Sequence, residues 1–134
     1  MKKFWSISCV LLLIGGCSAR PQVTSYHVED NQQEIEKLET VMANQEKISE
    51  GSAVFFNDEL VVTIQVKPLS KFSKEKITKS FKKEVESIFP DHKVFVSSDL
   101  KISWELNKII EDQADKEKVK KELDELQALA KEET

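Results

Sequence analysis

Cys17 is the side chain whose type and position most directly imply chemistry. It follows Leu13-Ile14-Gly15-Gly16, behind a short apolar segment that begins Met1-Lys2-Lys3. Lys2 and Lys3 give a cationic start, Phe4 to Ile14 an apolar stretch of 11 residues, and Gly15 and Gly16 the small residues that precede a cut. The order reads as a bacterial lipoprotein export signal over residues 1–16, cleaved between Gly16 and Cys17. The apolar stretch falls well short of the roughly 20 residues that cross a bilayer as a helix. The competing reading is an ordinary secretory signal, or an uncleaved anchor, with a cysteine that happens to stand near the cut.

The Gly15-Gly16-Cys17 ending resembles the lipobox, in which a diacylglyceryl group is joined to the cysteine thiol and the chain is then cut just before it. Cys17 would become the first mature residue. At about 0.8 kcal/mol per buried CH2, two palmitate-length chains anchor by on the order of 20 kcal/mol, which is effectively permanent. Cys9 leaves with the signal, so the mature chain carries no free thiol, and no disulfide, thiol nucleophile or cysteine metal site is expected.

Other chemistry-bearing residues are sparse. His27 and His92 are the only histidines, distant in sequence and read as solvated residues of a tether and a turn, with no triad or metal spacing around them. Of three glycines, Gly15 and Gly16 belong to the signal, leaving Gly51 and no phosphate-cradling loop. The carboxylate groups Glu111-Asp112 and Glu122, Asp124 and Glu125 fall on exposed helix faces rather than in a recognisable cleft. Neither enzymatic activity, a cofactor nor a metal is expected.

Removing the signal takes Lys2 and Lys3 and no acid, leaving 118 residues with 18 basic and 24 acidic side chains. One domain fits that length, and the acidic balance argues against nucleic acid as a partner.

The elements that would carry these residues follow from periodicity. Residues 17–29 show no apolar period and read as a lipidated tether. Residues 30–50 carry Ile35, Leu38, Val41, Met42 and Ile48 at helical spacing, with Gly51 as the stop. A hairpin is expected over Ala53 to Lys67, turning at Asn57-Asp58, with Thr63 and Gln65 on a more polar face. Ser73 is a cap candidate for a helix with Ile77, Phe81, Val85 and Ile88 on its apolar stripe. A third strand covers His92 to Ser98, followed by a helix with Ile102, Leu106, Ile109 and Ile110, and Trp104 at its edge reads as core more readily than as an interface. The spacing thus predicts an α+β domain over residues 52–112, about three strands with helices on one face, flanked by amphipathic helices at 30–50 and 113–134.

The run Ala53-Val54-Phe55-Phe56-Asn57-Asp58 leading into Leu60 to Val66, the Lys-rich helix, and Val94-Phe95-Val96-Ser97-Ser98-Asp99 before the helix of Ile102 and Leu106 resemble the YhcN/YlaJ family of sporulation lipoproteins from endospore-forming bacteria. The similarity covers roughly Ser52 to Ile110, with motifs that are structural rather than catalytic. It implies a lipid-anchored protein on the extracytoplasmic face of the cell membrane or inner spore membrane, associated with germination or outgrowth and without established enzymatic activity. Low-complexity inserts carried by some longer members are missing here. The expected function is a non-enzymatic spore-membrane lipoprotein that holds a protein partner of the spore membrane or cortex-lytic machinery. Trp104, Leu123 and Leu126 are the candidate partner contacts. The rival reading is a lipid or cell-wall ligand-binding module in which Lys79, Lys82 and Lys83 meet phosphate or carboxylate groups.

Overall fold

The computed structural model describes residues 22–29, 31–113 and 115–132. Among them, Gly51 to Phe56 and Leu60 to Ile64 are buried without a break. A sheet with one wet face would alternate along each strand, so an unbroken run means that both faces are covered.

Among the described residues four strands, β1 (Gln22–His27), β2 (Ile48–Phe56), β3 (Glu59–Val66) and β4 (Lys93–Ser97), lie side by side in that order. β1 is parallel to β2 through the helix α1 (Gln32–Ala43), and β3 is parallel to β4 through α2 (Lys74–Ile88). A parallel neighbour needs such a crossover, whereas the antiparallel pair β2 and β3 needs only the two residues Asn57 and Asp58. Asn57 takes the left-handed conformation (φ 51°) that its short amide side chain tolerates and a tight hairpin requires.

Alternate strand residues feed two separate cores. Ala53, Phe55, Leu60, Val62 and Ile64 pack under α1 and α2 with Leu38, Met42, Phe81 and Val85. Val54, Phe56 and Val61 pack against α3 (Leu100–Asp112) and α4 (Lys116–Glu132) through Ile102, Leu106, Val119, Leu123 and Leu126. The result is a three-layer α/β/α sandwich, an α+β architecture with helices on both faces of the sheet rather than on the one expected, because α1 and α2 cover one face and α3 and α4 the other.

Several expectations change in detail. The segment read as tether contributes β1 over its last residues, giving a fourth strand. Val, Thr and Tyr suit an extended chain, and β2 offers six partners in register from Gln22↔Glu50 to His27↔Phe55. The first helix ends at Ala43, capped at Asn44, and Ile48 already belongs to β2. Gly51 therefore stops no helix. It sits in the strand because a Cβ there would strike the Cε of Met42 from α1. The polar face expected from Thr63 and Gln65 is covered by α3, and Thr63 is fully buried. Ser73 precedes α2 without a side-chain cap bond, because the chain reaches it through a 3₁₀ helix, Pro68–Ser73.

Register fixes the two ends of the sandwich. Gln22, Ile48, Val66 and Ser97 lie toward one end, and His27, the Asn57-Asp58 turn and Lys93 toward the other.

Candidate functional site

At the hairpin end three polar side chains from distant parts of the chain meet. His27 closes β1, Glu34 lies in the first turn of α1, and His92 sits in the turn between α2 and β4. Asn31 caps α1, its side-chain oxygen accepting the backbone N–H of Gln33 at 3.1 Å and of Glu34 at 3.3 Å. That cap sets the first turn so that Glu34 faces both rings. Nε2 of His27 lies 2.7 Å from Oε1 of Glu34, and Nε2 of His92 lies 2.9 Å from Oε2. Asn31 Nδ2 adds a contact of 3.2 Å to Oε1.

The rings are seated on an aromatic floor. His27 stacks on Phe55 with centroids 5.0 Å apart and planes 17° from parallel. His92 meets Phe55 and Phe89 edge-on, at 5.9 Å and 5.3 Å. Phe55 is fully buried, so the floor is the end of the first core.

The hydrogen bonds assign the proton on His27. Nδ1 accepts the backbone N–H of Glu29 at 3.1 Å, so Nε2 carries the hydrogen donated to Glu34. Both nitrogens are engaged, and neither offers a lone pair to a substrate. Glu34 in turn spends both oxygens on imidazoles. Among the described residues no group of three or more His, Cys, Asp and Glu side chains is arranged to hold a metal ion. The cluster is a clamp. It ties the end of β1, the start of α1 and the α2–β4 turn, and Glu29 extends it by accepting the N–H of Asn57 at 3.0 Å. The two histidines, read from sequence as solvated and unrelated, are thus partners of one carboxylate, with side chains only 3% and 13% exposed.

The other candidate residues scatter over the surface and core. Lys79, Lys82 and Lys83 are exposed on the outer side of α2, away from the Ile77, Phe81 and Val85 stripe. Trp104 is 60% exposed on α3, so it is not a core residue. Leu123 and Leu126 are buried at 0% and 3% in the second core against the sheet, and present nothing to a partner. Gly16 and Cys17 lie outside the described residues.

Glu34 went unnoticed in the sequence, although Asn31 followed three residues later by Glu34 is the pattern of a helix start. Leu69 and Phe72 also went unnoticed. Both stand on the 3₁₀ helix and are 99% and 104% exposed. No family model, no curated protein and no solved structure matches the chain.

Proposed function

We propose that this chain is a lipid-anchored, non-enzymatic domain held at the extracytoplasmic membrane surface, where it positions a protein partner during spore germination or outgrowth. The observation that carries the reading is the start of β1. Gln22 already pairs with Glu50, and only five peptide steps separate it from Cys17. At about 3.3–3.6 Å per residue that connection reaches at most roughly 18 Å. A domain so attached works within a head-group's breadth of the bilayer and meets partners that are themselves in or on the membrane. The lipobox ending at Cys17 supports the anchor, and the resemblance over Ser52 to Ile110 supports the spore setting.

The test begins with Cys17→Ala. Palmitate label incorporated by the wild-type chain should be absent from the variant, and the variant should leave the membrane fraction. Crosslinking in spores should then recover a membrane protein from the wild type and not from Cys17→Ala. Label retained in the variant would end the anchor reading, and crosslinks to lipid or wall material alone would end the partner reading.

One observation favours the ligand-binding alternative. Lys79, Lys82 and Lys83 form no ion pair among the described residues and share the outer side of α2. Changing all three to Glu should weaken the binding of wall fragments if that reading holds.

A further inference from the structure

Among the described residues, the large apolar side chains left exposed are Leu69, Phe72, Leu100 and Trp104. Their placement is not scattered. Leu69 and Phe72 follow β3 directly, at the end of the sheet where β1 begins. Leu100 opens α3 two residues after Ser98 and so stands at the same end, with Trp104 one turn above it. A surface crevice lined by Lys74, Glu75, Ser98 and Leu100 joins the start of α2 to the start of α3.

The 3₁₀ geometry pairs the two outermost side chains. Residues three apart in such a helix eclipse one another, so Leu69 and Phe72 project together as one apolar prong. Pro68 fixes the first turn. Around the prong the segment from Lys67 to Lys79 carries five lysines against the single acid Glu75, in a mature chain whose overall balance is acidic. Lys67, Lys71, Lys74 and Lys76 form no ion pair among the described residues. Apolar side chains ringed by unpaired lysines match an anionic bilayer surface, where the apolar tips enter the acyl boundary and the ammonium groups meet phosphates.

We infer that the end of the domain bearing Leu69 and Phe72 docks onto an anionic phospholipid bilayer, as a second membrane contact beside the Cys17 anchor. The inference rests on the anchor reading for its orientation, since the same end receives the chain from Cys17. Protein partners then meet the opposite end or the flanks. The Asn57-Asp58 turn stands away from the bilayer by the length of β3, about 26 Å at 3.3 Å per residue.

The experiment separates the two readings. The mature chain from Cys17 keeps both cores whole, because their members all fall between Val23 and Ala130. Its single thiol can be coupled to a maleimide phospholipid in vesicles of phosphatidylglycerol and phosphatidylcholine, which supplies the anchor whether or not a cell does. With Trp104→Phe as background, Phe72→Trp reports depth and Asp58→Trp serves as the control at the far end. Brominated acyl chains should quench Phe72→Trp and leave Asp58→Trp bright, and Leu69→Ser should reduce the quenching. Without coupling, the Cys17→Ser chain should lose roughly tenfold or more in partition to anionic vesicles on Leu69→Ser with Phe72→Ser. Equal quenching at both positions, or partition indifferent to the prong, would overturn the inference. Loss of palmitate labelling in cells would remove the anchor and leave the vesicle result standing.

Discussion

Replacing Glu34 with alanine should destabilise the domain by about 3 kcal/mol, and the figure follows from where its two partners sit. A hydrogen bond to a charged group contributes about 1.5–3 kcal/mol when its loss leaves the donor without water. The His27 side chain is 3% exposed and stacked on Phe55, so its Nε2–H finds no replacement and about 2 kcal/mol is lost there. The His92 side chain is 13% exposed, water can reach it, and about 1 kcal/mol is assigned to it. The change in helix propensity from Glu to Ala is only a few tenths of a kcal/mol. For a domain of this size the total lowers the midpoint of thermal unfolding by roughly 10–15 °C. Urea unfolding of the chain from Cys17 onward measures it directly. Glu34→Gln, which keeps one acceptor oxygen and turns a donor toward the other ring, should lose about half as much. Hydrogen exchange adds the local signature, because the amides of β1 should open ahead of those of β2 and β3. If Glu34→Ala unfolds within about 0.5 kcal/mol of wild type, or if the losses from Glu34→Ala and His27→Ala simply add, the clamp contributes nothing and the geometry has been misread.

Leu123→Ala should cost about 2–5 kcal/mol as a fully buried core residue, and an unchanged unfolding midpoint would return Leu123 to the surface role suggested by its sequence. Thr63→Val should stabilise by about 1 kcal/mol, since the Thr63 hydroxyl is buried without a hydrogen-bond partner among the described residues; a loss of stability in urea unfolding would reveal a hidden acceptor. Gly51→Val should cost about 1–3 kcal/mol by displacing Met42, and Gly51→Ala distinctly less, because only the flexible tip of Met42 must move. Equal losses for the two variants would mean that the strand backbone, not Met42, resists the side chain.

The parts of this fold that were legible in the sequence are those decided locally. The turn at Asn57-Asp58 is written in residues that tolerate its backbone and flanked by the strands that it joins, so the hairpin was readable at once. β1 was not, because its six residues follow Pro21 and contain one Val and one Tyr, and what makes them a strand is a partner 28 residues further along. Its pairing is non-local, and no window of sequence holds both halves. The same applies to the clamp. His27, Glu34 and His92 are unremarkable singly, and only the crossover of α1 and the turn after Phe89 bring them to one place. α4 misled for a different reason. Its stripe of Val119, Leu123 and Leu126 is thin for a helix covering a sheet alone, but α3 shares that face, and two narrow stripes together close the second core.

The arrangement has a mechanical consequence if Cys17 is the anchor. A load between the membrane and the domain would enter through β1, which among the described residues is an edge strand paired on one side only. Its direction runs along the strand, so the hydrogen bonds from Gln22↔Glu50 to His27↔Phe55 are loaded together in shear rather than opened one at a time. The strand can then slip only if its far end yields, and that end is where the clamp lies: His27 is held by Glu34, the Val28 N–H bonds to the Phe55 carbonyl at 3.1 Å, and Glu29 holds Asn57. Side chains whose ring nitrogens and carboxylate oxygens are spent on one another thus acquire a reason for their position. They stand at the one place where a short edge strand, asked to tether a whole domain, would otherwise begin to withdraw from the sheet.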